Sequence, residues 1–341
     1  MVSPTESRAP DPESRIPNPE SRIPNPESRI PRLQCAPMRY RYLAALVAAL
    51  SFGSSSAPVA QTGVHLNPVI AKLAAGKTVY GLINSGDLSL VNARETARAP
   101  VDFVYADMEH NPLDFPGLAT FLLGLTDKAA IVSKGNLQPN VAFFARFPQE
   151  ADESTWVVKQ ALDIGLMGVV FNGVDTKEQA ISAVRSMRYP PLKGETRREP
   201  VGIRGYGTGG ATWAWGVNAA EYERRADVWP LNPDGDLFAI VMIESVEGLK
   251  NLDAIAAVPG VGALFLGAGS DLSRSLGVRP NTPEVEAAFQ QVLSACKSHK
   301  VACGITAGSG TDVARRVKEG WNIIRSTVPA ITQGRQLLGE R

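Results

Sequence analysis

From residue 66 onward, short unbroken apolar runs alternate with longer stretches in which apolar positions recur every three or four residues. The short runs are 78–83, 102–107, 141–147, 168–172, 237–244, 263–267, 302–306 and 322–326. Runs that are continuously apolar, rather than alternating, suit strands of a parallel sheet covered on both faces. Helical stretches are expected at about 88–98, 113–124, 152–165, 176–187, 246–257, 281–299 and 310–319. In one of them Leu249, Leu252, Ile255 and Ala256 keep the helical period behind Ser245, which suits an N-cap. Eight strands with intervening helices predict an α/β protein folded as a (β/α)8 barrel, with a doubly wound open sheet as the alternative. The interval 189–236 contains no expected strand. Its glycine-rich stretch from Gly202 to Gly216 includes Arg204, Trp213 and Trp215, so it reads as a packed loop rather than a linker.

The N-terminal region follows a different pattern. Positions 12–31 repeat Pro-Glu-Ser-Arg-Ile-Pro-Asn, a polar tract that cannot build a core. Residues 1–37 are therefore read as a disordered segment, or as the result of a start assigned too early, with Met38 as the true start. Arg39 and Arg41 then precede an apolar run from Leu43 to Phe52 and small residues up to Ala60. This is the pattern of a secretory signal peptide over 38–60, too short to span a bilayer. A secreted, periplasmic protein is expected, with a single domain over 61–341 and no stable membrane insertion once the signal is removed. The formal net charge of +1 gives no basic excess of the kind a nucleic-acid partner requires. Beyond the leader only Cys296 and Cys303 remain. They could bridge in an oxidising compartment or be two small buried residues, and sequence leaves both open.

Active sites of barrel enzymes sit at the C-terminal ends of the strands. There the second run leads into Asp107-Met-Glu-His110, the third ends at Arg146, the fourth at Asn172, the fifth at Glu244, and the sixth leads to Asp271. Two acids on neighbouring strand ends, Glu244 and Asp271, are natural oxygen ligands for a hard divalent cation such as Mg²⁺ or Mn²⁺. Their alternative role is to cap the following helices. His110 suits a general base near neutral pH, or a structural histidine. Arg146, at the end of an apolar strand, needs a carboxylate from Glu109 or from an anionic substrate. The chain carries no phosphate-binding P-loop, dinucleotide fingerprint or serine nucleophile elbow.

Together with Phe144-Ala-Arg146, Val158-Lys-Gln-Ala-Leu-Asp-Ile-Gly165, Val174-Asp-Thr176, Arg188-Tyr-Pro-Pro191, Arg204-Gly-Tyr-Gly207, Ile243-Glu244 and Asp271-Leu-Ser-Arg-Ser-Leu-Gly277, these residues resemble the HpcH/HpaI aldolase family over roughly 66–330. These are the metal-dependent class II pyruvate aldolases of the citrate-lyase-like superfamily. The resemblance implies a (β/α)8 barrel of the phosphoenolpyruvate/pyruvate-domain type. It implies a carbon–carbon lyase that cleaves or forms the bond next to a 2-oxo acid, with an aldehyde as the other substrate. It also implies a divalent cation (Mg²⁺, Mn²⁺ or Co²⁺) on Glu244 and Asp271, His110 as base, and Arg146 as the stabiliser of enolate charge. Asp163 would raise the basicity of that histidine, while Met242 and Ser270, with Arg146 and Asp271, would contact pyruvate or metal-bound water. A homo-oligomer is implied as well. Asp163 falls late in a helix and so near the opposite rim, which makes Asp107 a physical alternative. The chain departs from the family at Met242, usually Gln, at Asn84, usually Trp, at the lengthened loop Gly267-Ala-Gly-Ser-Asp-Leu272, and at Ala211-Thr-Trp213, usually Arg-Ala. Two rivals remain: an acyl-CoA lyase of the citrate-lyase-β type, and a non-catalytic exported binder of carboxylic acids.

Overall fold

The computed structural model describes residues 64–147 and 155–340, so the signal-peptide and repeat expectations lie outside the described residues. The strands are β1 (Val79–Asn84), β2 (Phe103–Asp107), β3 (Ala142–Arg146), β4 (Gly168–Phe171), β5 (Val228–Trp229), β6 (Leu237–Met242), β7 (Ala263–Leu266), β8 (Ala302–Thr306) and β9 (Ile323–Arg325). All pairings are parallel. The β4–β6 and β9–β1 pairings close eight strands into a ring, while β5 pairs only with β6. Each of the eight expected runs supplies one strand, and the closure decides for the barrel over the open sheet.

Ser245 does cap its helix, its Oγ accepting from the Gly248 N–H at 2.9 Å. The stretch expected as one helix over 246–257 is two, Val246–Lys250 and Leu252–Ala256, meeting at Asn251. Beyond the expected stretches lie the helix Val328–Leu338, of 11 residues, and five helices too short for their period to show: Pro68–Ala74, Lys128–Lys134, Gly209–Trp215, Ala219–Arg225 and Ser270–Ser275. Two of these lie in the glycine-rich interval, together with β5, so the expectation of a strandless loop is corrected. The segment is packed: the Trp215 indole N–H donates to the Gly165 carbonyl at 2.7 Å, and its ring meets Tyr222 edge-on at 4.9 Å. Cys296 and Cys303 are joined by a disulfide, with Cα atoms 5.7 Å apart, tying the end of helix Pro283–His299 to β8. Among the described residues no single helix is long and apolar enough to cross a membrane.

The lower barrel is filled by aromatic rings. Phe144 lies 5.8 Å from Phe103 and 6.3 Å from Phe238, reaching the latter across β4. Gly168 makes that possible, since a Cβ there would lie 2.6 Å from the Phe238 carbonyl and 2.8 Å from the Phe144 ring. Gly168→Ala is expected to destabilise by about 1–3 kcal/mol through overpacking. It should be read as a lower urea midpoint at unchanged slope, and an unmoved midpoint would contradict this packing.

Candidate active site

Side chains alternate along a strand, so the parity that turns Phe103, Phe144 and Phe238 inward also turns Tyr105 and Asp107 of β2, Arg146 of β3 and Met242 of β6 toward the barrel axis. Register places Asp107 directly beside Arg146. The Arg146 guanidinium donates from Nε to Asp107 Oδ1 at 3.1 Å and pairs through Nη2 with Oδ2 at 2.9 Å. Its Nη1 lies 2.7 Å from Glu109 Oε2. Burial works to lower the pKa of Arg146, but the hydrogen bond to Asp107 and the surrounding Tyr105, Asp107 and Glu109 hold it above its ordinary value. Arg146 is thus a fixed positive charge, and its partners are Asp107 and Glu109 together rather than Glu109 alone.

Asp107 also accepts the backbone N–H groups of Glu109 at 3.2 Å and His110 at 3.4 Å, which shapes the turn behind β2. Its carboxylate therefore serves Arg146 and the turn. No hydrogen bond joins it to the His110 ring, so the idea of Asp107 as that ring's partner is corrected. The exposed His110 ring instead lies with Nε2 3.4 Å from Glu109 Oε2. Glu109 Oε1 accepts from Asn172 Nδ2 at 2.6 Å. Glu109 thus links β2, β3 and β4 at the rim. Sequence alone offered it only as a partner for Arg146. Its Oε2 is buried and makes no well-aligned hydrogen bond, so its contact with Arg146 is chiefly electrostatic; Asn172 Oδ1 is likewise buried without a partner.

Asp163 lies elsewhere. Its carboxylate accepts from Arg204 Nη2 at 2.8 Å and from Lys159 Nζ at 2.7 Å. Arg204 in turn stacks on Tyr189, 4.5 Å to the ring centre, and donates to the Tyr222 hydroxyl at 2.9 Å. The helix Thr155–Ile164 runs from the end of β3 back toward the start of β4, so its last turn is carried away from the rim. Within one chain Asp163 anchors the glycine-rich segment, and none of its hydrogen bonds or ion pairs reaches His110.

Glu244 follows β6 and accepts from the Gly173 N–H through Oε2 at 3.2 Å. Burial pushes its carboxyl up to about 7; the Gly173 hydrogen bond opposes this, the carboxylates of Glu109 and Asp271 add to it, and Arg146 opposes it. Asp271, in the first turn of helix Ser270–Ser275, is exposed and accepts from Ser270 Oγ at 3.1 Å. Gly267 borders the same space, where a Cβ would stand 3.1 Å from Met242 Cε and 3.6 Å from Glu244 Oε1. Met242 is fully buried, with Sδ 4.0 Å from Arg146 Nη1. A half-buried acid with two other acids acting on it, and an unpartnered amide oxygen on the neighbouring strand end, are donors that suit a hard cation. Among the described residues no group of three or more Asp, Glu, His or Cys is arranged to hold a metal. The chain would therefore supply Glu244 and Asp271, and water or substrate oxygens would complete the shell.

The structure brings His110, Arg146, Met242 and Glu244 to one rim, with Asp271 acting electrostatically on Glu244 and Ser270 bonded to Asp271, and leaves Asp163 apart. A family model for HpcH/HpaI aldolase/citrate lyase matches residues 89–328. The hydroxypyruvate/pyruvate aldolase of Pseudomonas aeruginosa is 34% identical over 229 residues, spanning 67% of this chain and 74% of that protein. The 5-keto-4-deoxy-D-glucarate aldolase of Citrobacter koseri is 32% identical over 65% of this chain and 75% of its own length. A crystal structure of an HpcH/HpaI aldolase/citrate lyase family protein from Burkholderia cenocepacia J2315 superposes with a TM-score of 0.62. It is 29% identical, covering 80% of this chain and 98% of the other.

Proposed function

The chain belongs to the HpcH/HpaI aldolase/citrate lyase family, a carbon–carbon lyase of the pyruvate aldolase kind, and we propose that it acts with a divalent cation held by Glu244 and Asp271. The observation that carries the proposal is the half-buried Glu244 at the end of β6, its carboxyl pushed up chiefly by burial and further by the carboxylates of Glu109 and Asp271, in the same mouth as the fixed charge of Arg146. When bound, the cation would act as a Lewis acid toward the carboxylate and keto oxygens of a 2-oxo acid. Arg146, locked by Asp107 and Glu109, presents positive charge where the keto oxygen becomes negative, so it favours the enolate over the ketone. In cleavage the aldol hydroxyl gives its proton to His110 Nε2, and the carbon–carbon bond breaks with its electron pair passing to the 2-oxo acid. The aldehyde then leaves and the enolate carbon is protonated to give pyruvate. Glu109 Oε2 lies 3.4 Å from that nitrogen and so borders the ring on the side of the Arg146 charge. The buried thioether of Met242 closes the floor beside Arg146 against water.

The test is exchange of solvent deuterium into the methyl group of pyruvate, with EDTA and then with Mg²⁺, Mn²⁺ or Co²⁺. We expect exchange that depends on the cation. Its absence under all conditions would favour the non-catalytic binder, for which the loss of a polar residue at Met242 is the supporting observation. His110→Ala should slow cleavage of a 4-hydroxy-2-oxo acid by about 10²- to 10⁴-fold. Because the ring is exposed, the urea midpoint should hardly move; an unchanged cleavage rate would remove His110 as the base.

Export and self-association belong to the same proposal. The mature protein should begin between about residues 58 and 62 on N-terminal sequencing. Trp156, Tyr206 and Trp213 are exposed, and we propose a homo-oligomer that covers some of these rings, which light scattering would detect.

A further inference from the structure

A second guanidinium stands in the barrel mouth, and the mechanism above does not use it. Arg325 is the last residue of β9, paired in register with Thr306 of β8 and Gly81 of β1. Its parity along the strand is that of Ile323, which is paired with Gly304, the residue packed against the inward ring of Phe265. The side chain therefore belongs to the interior face, at the C-terminal end where the site lies. Tyr105 connects the two regions. Its phenol pKa is raised by burial, lowered by Arg325 and Arg146, and raised again by Asp107 and Glu244, so one side chain senses both guanidinia and the acids of the site.

The two arginines differ in their partners. Arg146 is neutralised by Asp107 and Glu109. Among the described residues no carboxylate lies within ion-pair distance of Arg325, and its Nε is buried with no hydrogen-bond acceptor. A buried N–H donor is normally satisfied, so one left open inside a ligand-binding mouth points to an acceptor that a ligand brings. The 2-oxo acid already has its partners in the Glu244, Asp271 and Arg146 cluster, so the group that meets Arg325 lies on the other reactant.

Resting on the aldolase reading above, we propose that Arg325 determines acceptor specificity by binding a carboxylate on the aldehyde partner. The preferred acceptor is then an aldehyde acid rather than a neutral aldehyde. The planar fork of the guanidinium matches two carboxylate oxygens at once, which favours a carboxylate over a hydroxyl at that end.

The experiment compares addition of pyruvate to glyoxylate and to glycolaldehyde, two-carbon acceptors that differ in the acid group, in wild type and in Arg325→Met. Wild type should prefer glyoxylate by about 10- to 100-fold in kcat/KM, the range expected for a hydrogen bond to a charged group. Arg325→Met should lose most of that preference through the KM for glyoxylate, with a much smaller change in the KM for pyruvate. An equal loss for both acceptors would make Arg325 a structural residue and overturn the proposal. So would a rise mainly in the pyruvate KM, which would assign the arginine to the 2-oxo acid. A wild-type preference for glyceraldehyde 3-phosphate over both acceptors would overturn the carboxylate assignment. Wild type that shows no cation-dependent pyruvate exchange would defeat the aldolase reading instead. In that case calorimetry with succinate on the metal-free protein decides the anion site: binding lost in Arg325→Met supports it, and equal binding overturns it.

Discussion

Arg146→Met is expected to destabilise the fold by about 3–5 kcal/mol, because it leaves a buried carboxylate without its counter-charge. Asp107 and Arg146 are both almost fully buried, and their bidentate contact spans neighbouring strands at the mouth. Removing the guanidinium strands Asp107 in the barrel and leaves Glu109 held only by Asn172 and its contact with His110. The same change removes the positive charge facing the keto oxygen, and cation-dependent pyruvate exchange should fall by about 10²- to 10³-fold. Arg146→Lys separates the two effects. A lysine keeps one charge but cannot give two donors to Asp107 and a third to Glu109 from fixed positions. It should recover part of the urea midpoint while most of the activity stays lost. An Arg146→Met protein that folds and exchanges like wild type would contradict both the ion-pair argument and the role of the arginine.

The pH dependence of the chelated protein should carry the signature of Glu244. Its carboxyl is raised from 4.5 to about 7, with burial as the main cause. Below pH 4.5 the group is protonated in folded and unfolded chains alike, and its stabilising contribution is complete. Between 4.5 and 7 the unfolded chain ionises while the folded protein retains the proton. Stability therefore falls as pH rises across that window, by about 3 kcal/mol, and is level beyond it. Glu244→Gln cannot ionise, so the difference between wild type and variant in urea midpoints, measured in EDTA from pH 4.5 to 8, isolates this group from other titrations. A cation bound to the carboxylate should draw its pKa back down. At a hundred times its dissociation constant it should stabilise wild type by about 2.7 kcal/mol at neutral pH. Glu244→Gln should lose that response together with pyruvate exchange. Parallel pH curves for the two proteins in EDTA would show that Glu244 is not held in the environment described.

Much of this site is readable along the chain because barrel architecture turns position in sequence into position in space. A residue at the C-terminal end of any of the eight strands must stand on the same rim, so Arg146, Asn172 and Glu244 could be grouped before any contact was known. Asp163 shows the limit of that rule. A helix returns the chain to the opposite end, and where its last turn lands depends on packing, here against Arg204, Tyr189 and Tyr222. Arg325 escaped notice for a related reason. It closes a three-residue strand, and a lone arginine after two isoleucines looks like a surface residue until register turns it inward.

The sequence by itself determined the eight barrel strands, the α/β class and the residues available at the rim, because strands covered on both faces need unbroken apolar runs, and those runs are local; closure of the sheet into a ring came from the β4–β6 and β9–β1 pairings. The choice of partners belongs to the tertiary structure alone. Asp107 meets Arg146 across 39 residues, Glu109 meets Asn172 across 63, and Gly173 meets Glu244 across 71. Each of these acids had several cations, amides or backbone donors within plausible reach of its strand end. Which one it bonds follows from strand register and from the need to satisfy every buried charge at once, and no local pattern encodes either.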